Sequence, residues 1–90
     1  MIEISFSSSF KRSFKKKIKG RKEIEDIFWE AASLFIADPF HPSLKTHKLS
    51  GKLKKMWSFS VEYDIRVIFY FEDNNSKAVF IFIGSHDEAY

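Results

Sequence analysis

One arginine stands inside a run of apolar and aromatic residues, Ile65-Arg66-Val67-Ile68-Phe69-Tyr70-Phe71. Guanidinium does not give up its proton, and leaving it buried without a partner is costly, so Arg66 needs a counterpart. Glu62 or Glu72 on a neighbouring strand could supply one as a surface ion pair, worth at most about 1 kcal/mol. An anionic ligand is the other possibility. The chain ends on Gly84-Ser85-His86-Asp87-Glu88-Ala89-Tyr90, which brings an imidazole, two carboxylates and a phenol together. We expect Arg66 and this tail to share a site. A third group lies in residues 40 to 55, where His41 and His47 are interspersed with Lys45, Lys48, Lys52, Lys54 and Lys55.

These residue types suit one cofactor-free reaction in particular. An RNA strand carries its own nucleophile in the 2′-hydroxyl. A protein then has to align that hydroxyl with the adjacent phosphorus, remove its proton, protonate the leaving 5′-oxygen and stabilise the added negative charge. Histidine titrates near neutral pH and can give or take a proton, while arginine can hold two phosphoryl oxygens at once. Other chemistries lack their signatures. Without cysteine there is no disulfide or thiolate ligand, and His41 and His47 do not have zinc-ligand spacing. No glycine-rich phosphate loop or G-x-S-x-G nucleophile turn occurs, so no cofactor and no metal is expected.

The elements that must position these groups are legible from periodicity. Residues 56 to 62, 65 to 72 and 77 to 84 are rich in β-branched and aromatic side chains and are separated by polar breaks, which predicts an antiparallel meander. In the middle strand Ile65, Val67, Phe69 and Phe71 face one way, and Arg66, Ile68 and Tyr70 the other. Ile2, Ile4 and Phe6 alternate with Glu3 and Ser5 in a short first strand that joins the meander. Ser7, Ser8 and Ser9 can cap a helix whose apolar stripe is Phe10, Phe14 and Ile18, ended by Gly20. A second helix is predicted over residues 22 to 37 from Ile24, Ile27, Phe28, Ala31, Leu34 and Phe35, and Asp38-Pro39 ends it. Both apolar stripes require one face of the sheet. The expected fold is a single α+β domain over residues 1 to 90. Two N-terminal helices pack on one face of a small, mainly antiparallel four-stranded sheet, and the other face is partly open. The loop from 40 to 55, pinned by Leu44, Leu49 and Leu53, is long enough to suggest function.

Composition agrees with a packed core, with 44% hydrophobic residues and eleven Phe among 90 residues. No apolar run approaches a membrane span, so no membrane association is expected, and the lack of cysteine fits a cytoplasmic location. The net charge of +3 is unevenly distributed. Eight Lys or Arg and no acid lie between Lys11 and Lys22, five Lys and no acid between His41 and Val61, and six acids from Glu62 onward. Such basic segments are ordinarily solvated surface, and they also suit a polyanion or an acidic protein partner. The lysines of the first helix, Lys11 and Lys15 among them, would steer toward RNA by charge alone.

Taken in order, His47-Lys48-Leu49-Ser50-Gly51-Lys52, Trp57-Ser58-Phe59-Ser60-Val61, Tyr63-Asp64-Ile65-Arg66-Val67-Ile68-Phe69 and Ile83-Gly84-Ser85-His86-Asp87-Glu88-Ala89-Tyr90 resemble the RelE/ParE superfamily of toxins from bacterial type II toxin–antitoxin systems. The resemblance spans essentially the whole chain. Its RelE, YoeB and YafQ-like branches imply an endoribonuclease that cuts mRNA in the ribosomal A site. Carried over by position, Arg66 is the strand arginine that stabilises the phosphate, His86 the general acid and Tyr90 a terminal aromatic that orients or stacks on a base. His47 opens the loop motif, Asp64 is an acidic position before the arginine strand, and Lys52 and Lys54 are basic residues near the phosphate; Lys48, next to His47, is expected from its charge to bind RNA phosphate as well. Ser60 stands where YafQ-like toxins carry a further histidine, and the YoeB-like glutamate base has no counterpart. The general base is therefore His47, with Lys52 or Lys54 as the fallback. The implied partners are mRNA and ribosomal RNA, an acidic antitoxin that is partly disordered when free, and operator DNA through that antitoxin only. The ParE branch, which targets DNA gyrase, and an inactive antitoxin-binding member are the rival expectations.

Overall fold

The computed structural model describes residues 1–85 and residue 87, with Lys52 described by its backbone alone. Helix α1, Ser8–Lys17, begins where the Ser7 hydroxyl accepts from the Phe10 amide at 3.1 Å. This satisfies one of the donors that a first helical turn leaves without an intrahelical partner. At its other end Lys15, Lys16 and Lys17 occupy the last turn, where cations oppose the negative end of the helix dipole. The Arg21 guanidinium reaches back to the Lys17 carbonyl at 3.2 Å. Gly20 takes φ +88°, a value costly for any residue with a side chain, and turns the chain into helix α2, Lys22–Ala37. The span of α2 is the one its periodicity predicts.

Five strands form one sheet: β1 Glu3–Phe6, β2 His47–Lys48, β3 Trp57–Glu62, β4 Ile65–Glu72 and β5 Lys77–Gly84, in the order β1-β5-β4-β3-β2. The expected count of four is thus corrected to five. The additional strand, β2, is two residues long, too short for alternation to reveal, and it exists only because its partner β3 lies alongside. The meander β3-β4-β5 and the β2–β3 pair are antiparallel, whereas β1 runs parallel to β5. The loop between α2 and β3 also contains two 3-10 turns, Pro42–Leu44 and Gly51–Leu53. His41 caps the first of them through Nδ1, which accepts from the Ser43 amide at 3.1 Å.

Both helices cover one sheet face, and phenylalanine fills the space between. Phe28, Phe35, Phe59, Phe69 and Phe80 are each 0% exposed. The Phe35 ring lies 4.9 Å from both Phe59 and Phe69, stacked on one and edge-on to the other. Strand β5 changes parity to take part. Ile68 pairs with Phe82 and Phe69 with Phe80, so Ile81 is the extra residue of a β-bulge. Ala78 and Phe80 face the core before the bulge, and Ile83 faces it afterwards.

Beyond Phe6 strand β1 has ended, and the edge of β5 would present bare amide groups. Serines of α1 take over the role of a strand. The Ser7 amide donates to the Phe80 carbonyl at 3.0 Å, and the Ser9 hydroxyl donates to the Ile81 carbonyl at 2.7 Å. The Ile83 amide donates to the Ser13 hydroxyl at 3.1 Å, which in turn donates to the Phe10 carbonyl at 3.0 Å. Because Ser13 is only 9% exposed, Ser13→Ala should strand the Ile83 N–H away from water. The expected loss is about 1–3 kcal/mol of stability, read from the urea midpoint at unchanged slope.

Candidate functional site

Val67 points into the core, so its neighbour Arg66 stands on the face of β4 opposite the helices. There Arg66 lies between Ser60 of β3 and Gly84 of β5. Two residues along the sheet, Ser58, Ile68 and Phe82 make the next row, and His47 of β2 extends it by pairing with Ser58. Directly opposed residues share a face, so His47, Ser58, Ser60 and Arg66 all stand on the same side. Two strand spacings and two residues along the strand separate His47 from Arg66, about 12 Å between Cα atoms. Two long side chains can span that gap around one phosphodiester.

This face is less open than the sequence suggests. Ser58 is 0% and Ile68 5% exposed, so the centre is closed, with Arg66 and Ser60 half-buried and His47 exposed at the margin. Arg66 has neither of the expected carboxylate partners among the described residues. Its Nη1 donates to the Glu62 carbonyl at 2.8 Å and to the Tyr63 carbonyl at 2.9 Å, both at the β3–β4 turn. Backbone carbonyls fix the guanidinium without cancelling its charge. Guanidinium has five N–H donors, and among the described residues none accepts from Nε or Nη2, whose donors suit an anionic ligand.

His47 is oriented by its own loop. Its Nδ1 lies 2.9 Å from the Lys45 carbonyl, and since a carbonyl only accepts, the proton sits on Nδ1. In the neutral ring the lone pair is therefore on Nε2, the form a proton acceptor requires. Asp64 lies in the β3–β4 turn and lines a cleft of about 190 Å³ together with Lys17, Arg21, Glu62 and Ser85. Lys48 pairs with Trp57 rather than with the His47 row, and Lys54 is exposed just after the second 3-10 turn. Lys11 and Lys15 line a groove between α1 and α2 on the helix side of the sheet, away from Arg66. His86, Tyr90 and the side chain of Lys52 lie outside the described residues.

Three features of the site escaped the residue-by-residue reading. Ser58 and Ser60 share the face of Arg66, which the alternation Trp57-Ser58-Phe59-Ser60 already signals. Tyr63, 94% exposed, sits on the turn whose carbonyl holds the guanidinium. Lys17 and Arg21 come to the Asp64 cleft from the α1–α2 junction, a proximity with no local signal in the sequence.

Among the described residues no group of three or more His, Cys, Asp or Glu could hold a metal ion, and no helix is long and apolar enough to cross a membrane. No curated protein matches the chain in sequence. Solved structures share its fold. YafQ from E. coli strain BL21(DE3) is 21% identical with a TM-score of 0.79, covering 100% of this chain and 99% of that one. A metal-bound toxin from Helicobacter pylori is 22% identical with a TM-score of 0.74 and full coverage of both chains, 100% each. A chain of the YoeB-YefM complex from Staphylococcus aureus is 16% identical with a TM-score of 0.74, covering 96% of this chain and 98% of that one. A family model described as "Bacterial toxin of type II toxin-antitoxin system, YafQ" matches residues 2–90, and the chain therefore belongs to the YafQ family of type II toxin–antitoxin toxins.

Proposed function

We propose that this toxin is an endoribonuclease that cuts mRNA in the ribosomal A site and thereby stops translation. The observation that carries this reading is the strand register. Arg66 and His47 share one sheet face, and Arg66 pairs with Gly84, two residues before His86 in the sequence. A phosphodiester laid along that face would meet the fixed Arg66 cation and the His47 ring.

In the proposed reaction His47 Nε2 takes the 2′-hydroxyl proton as the oxygen bonds to phosphorus. The P–O5′ bond breaks, and His86 donates a proton to the leaving oxygen. The products are a 2′,3′-cyclic phosphate and a 5′-hydroxyl, so charge, atoms and protons balance without water, metal or redox partner. Arg66 stabilises the phosphorane as its negative charge grows, when the N–H donors of the guanidinium bind more strongly than in the ground state. Asp64 belongs to the same end of the sheet, and Tyr90 is assigned to base stacking. Lys52 and Lys54 are assigned to neighbouring phosphates, while Lys48, on the opposite face of β2 from His47, joins Lys11 and Lys15 in favouring ribosomal RNA through charge. Should His47 not be the base, Lys52 or Lys54 would take its place. An acidic, partly disordered antitoxin would hold the toxin silent in the cytoplasm and carry it to operator DNA.

The test combines the purified chain with ribosomes programmed by a defined mRNA and maps the new 5′ ends. A-site cuts bearing 5′-hydroxyls support the reading. Intact mRNA under these conditions overturns it, and DNA breaks on induction in cells would assign the chain to the gyrase-directed branch instead.

A further inference from the structure

The β3–β4 turn carries the most exposed aromatic ring among the described residues, Tyr63 at 94%. A lone exposed ring is ordinary on a protein surface, and it is the backbone that sets this one apart. The Tyr63 carbonyl accepts from Arg66 Nη1 at 2.9 Å, so the cation proposed to hold the scissile phosphate also fixes the residue that bears the phenol. Tyr63 and Arg66 are three positions apart, within about 10 Å between Cα atoms. The next residue, Asp64, lines the cleft shared with Lys17 and Arg21, whereas Tyr63 does not. Its ring is left to solvent beside the phosphate-binding cation.

The register gives this position a direction. Along β3 and β4, His47 stands beside Ser58, Arg66 beside Ser60, and the turn with Tyr63 comes next. In the proposed reaction His47 takes the 2′-hydroxyl proton, so the ribose on the 5′ side of the cut lies at the His47 end. An RNA strand that continues past Arg66 then brings the nucleotide on the 3′ side to the turn. Glu62 and Asp64 flank the phenol in sequence, and their carboxylates repel phosphate. A nucleobase is uncharged and offers a π-face, which an aromatic ring can stack upon. The turn therefore suits a base rather than a phosphate.

We infer that Tyr63 is a specificity-determining residue of the nuclease, its ring stacking on the nucleobase immediately 3′ of the cut. The inference rests on the nuclease reading for the direction of the RNA strand. Stacking accepts every base and favours the larger rings of purines, so its mark is a graded preference.

Tyr63→Ala removes the ring and keeps the carbonyl that Arg66 uses, which makes it a clean variant. Ribosomes programmed with mRNAs randomised at the A-site codon are treated with the parent chain, Tyr63→Ala or Tyr63→Phe, and the new 5′ ends are sequenced. The parent should favour a purine after the cut about three- to tenfold. Tyr63→Ala should lose that preference and raise KM about tenfold with kcat changed far less, while Tyr63→Phe should keep the parent's behaviour. A second measurement does not require cutting. An oligodeoxyuridine bearing iodouracil, which lacks the 2′-hydroxyl, is irradiated with the full chain, and the cross-linked peptides are identified by mass spectrometry. A cross-link at Tyr63 is expected. A parent indifferent to the base after the cut, an unchanged preference in Tyr63→Ala, or cross-links confined to other residues would overturn the inference. If the parent leaves mRNA intact, the nuclease reading falls by itself, and the cross-link then decides whether Tyr63 contacts a base.

Discussion

Arg66→Ala is expected to slow mRNA cleavage on programmed ribosomes about 10²–10³-fold, with RNA binding changed far less. The guanidinium is asked to act where charge develops, so its removal should appear in the single-turnover rate at saturating toxin rather than in affinity. Its ground-state role is smaller. The two bonds to the Glu62 and Tyr63 carbonyls lie at an exposed turn, where water can replace them at a cost of about 1 kcal/mol. A modest loss of stability with a large loss of rate is therefore the signature of catalysis, and the reverse would make Arg66 a turn clamp. Arg66→Lys sharpens the comparison. It keeps the charge but loses the planar fork, and should recover only part of the rate.

His47→Gln should lower the cleavage rate about 10²–10⁴-fold and change the shape of its pH dependence. A general base works only when unprotonated, so whichever group serves as base sets the acid limb of the parent's rate–pH profile. Glutamine cannot take up a proton at any pH in that profile, so the acid limb should flatten while the alkaline limb, assigned to His86, persists. The bond from Nδ1 to the Lys45 carbonyl makes the assignment specific, because it holds the ring in the tautomer that accepts through Nε2. If the acid limb survives His47→Gln and vanishes in Lys52→Ala or Lys54→Ala, the base is the lysine. Rate–pH profiles from pH 5 to 9, a range of about four decades in proton concentration, decide between them.

Residues whose structure follows from neighbours a few positions away were readable directly. Helix α2 ends where its apolar spacing ends and Asp38-Pro39 begins, Ser7 caps α1, and Gly20 takes the positive φ that the junction requires. The parity of β4 put Arg66 across from Val67 before any partner strand was known. Pairing was not readable to the same degree. Nothing local in Glu3–Phe6 distinguishes a parallel partner from an antiparallel one, and the two residues of β2 are too few to alternate. The bulge at Ile81 also left no mark, because Phe80, Ile81, Phe82 and Ile83 are all apolar and fit either register.

The sequence by itself determined which residue types are present, which segments are helical or extended, and which face of β4 bears the one arginine. Those properties rest on backbone preferences and side-chain periods that operate within a turn or a strand. Only the tertiary structure decided that His47 joins the row beside Arg66, that backbone carbonyls of the β3–β4 turn accept from the guanidinium, and that Lys11 and Lys15 belong to a groove on the opposite side. Each of these depends on which distant segments become neighbours. That choice is made by burying the phenylalanine core as a whole, a non-local term that no short window of sequence contains.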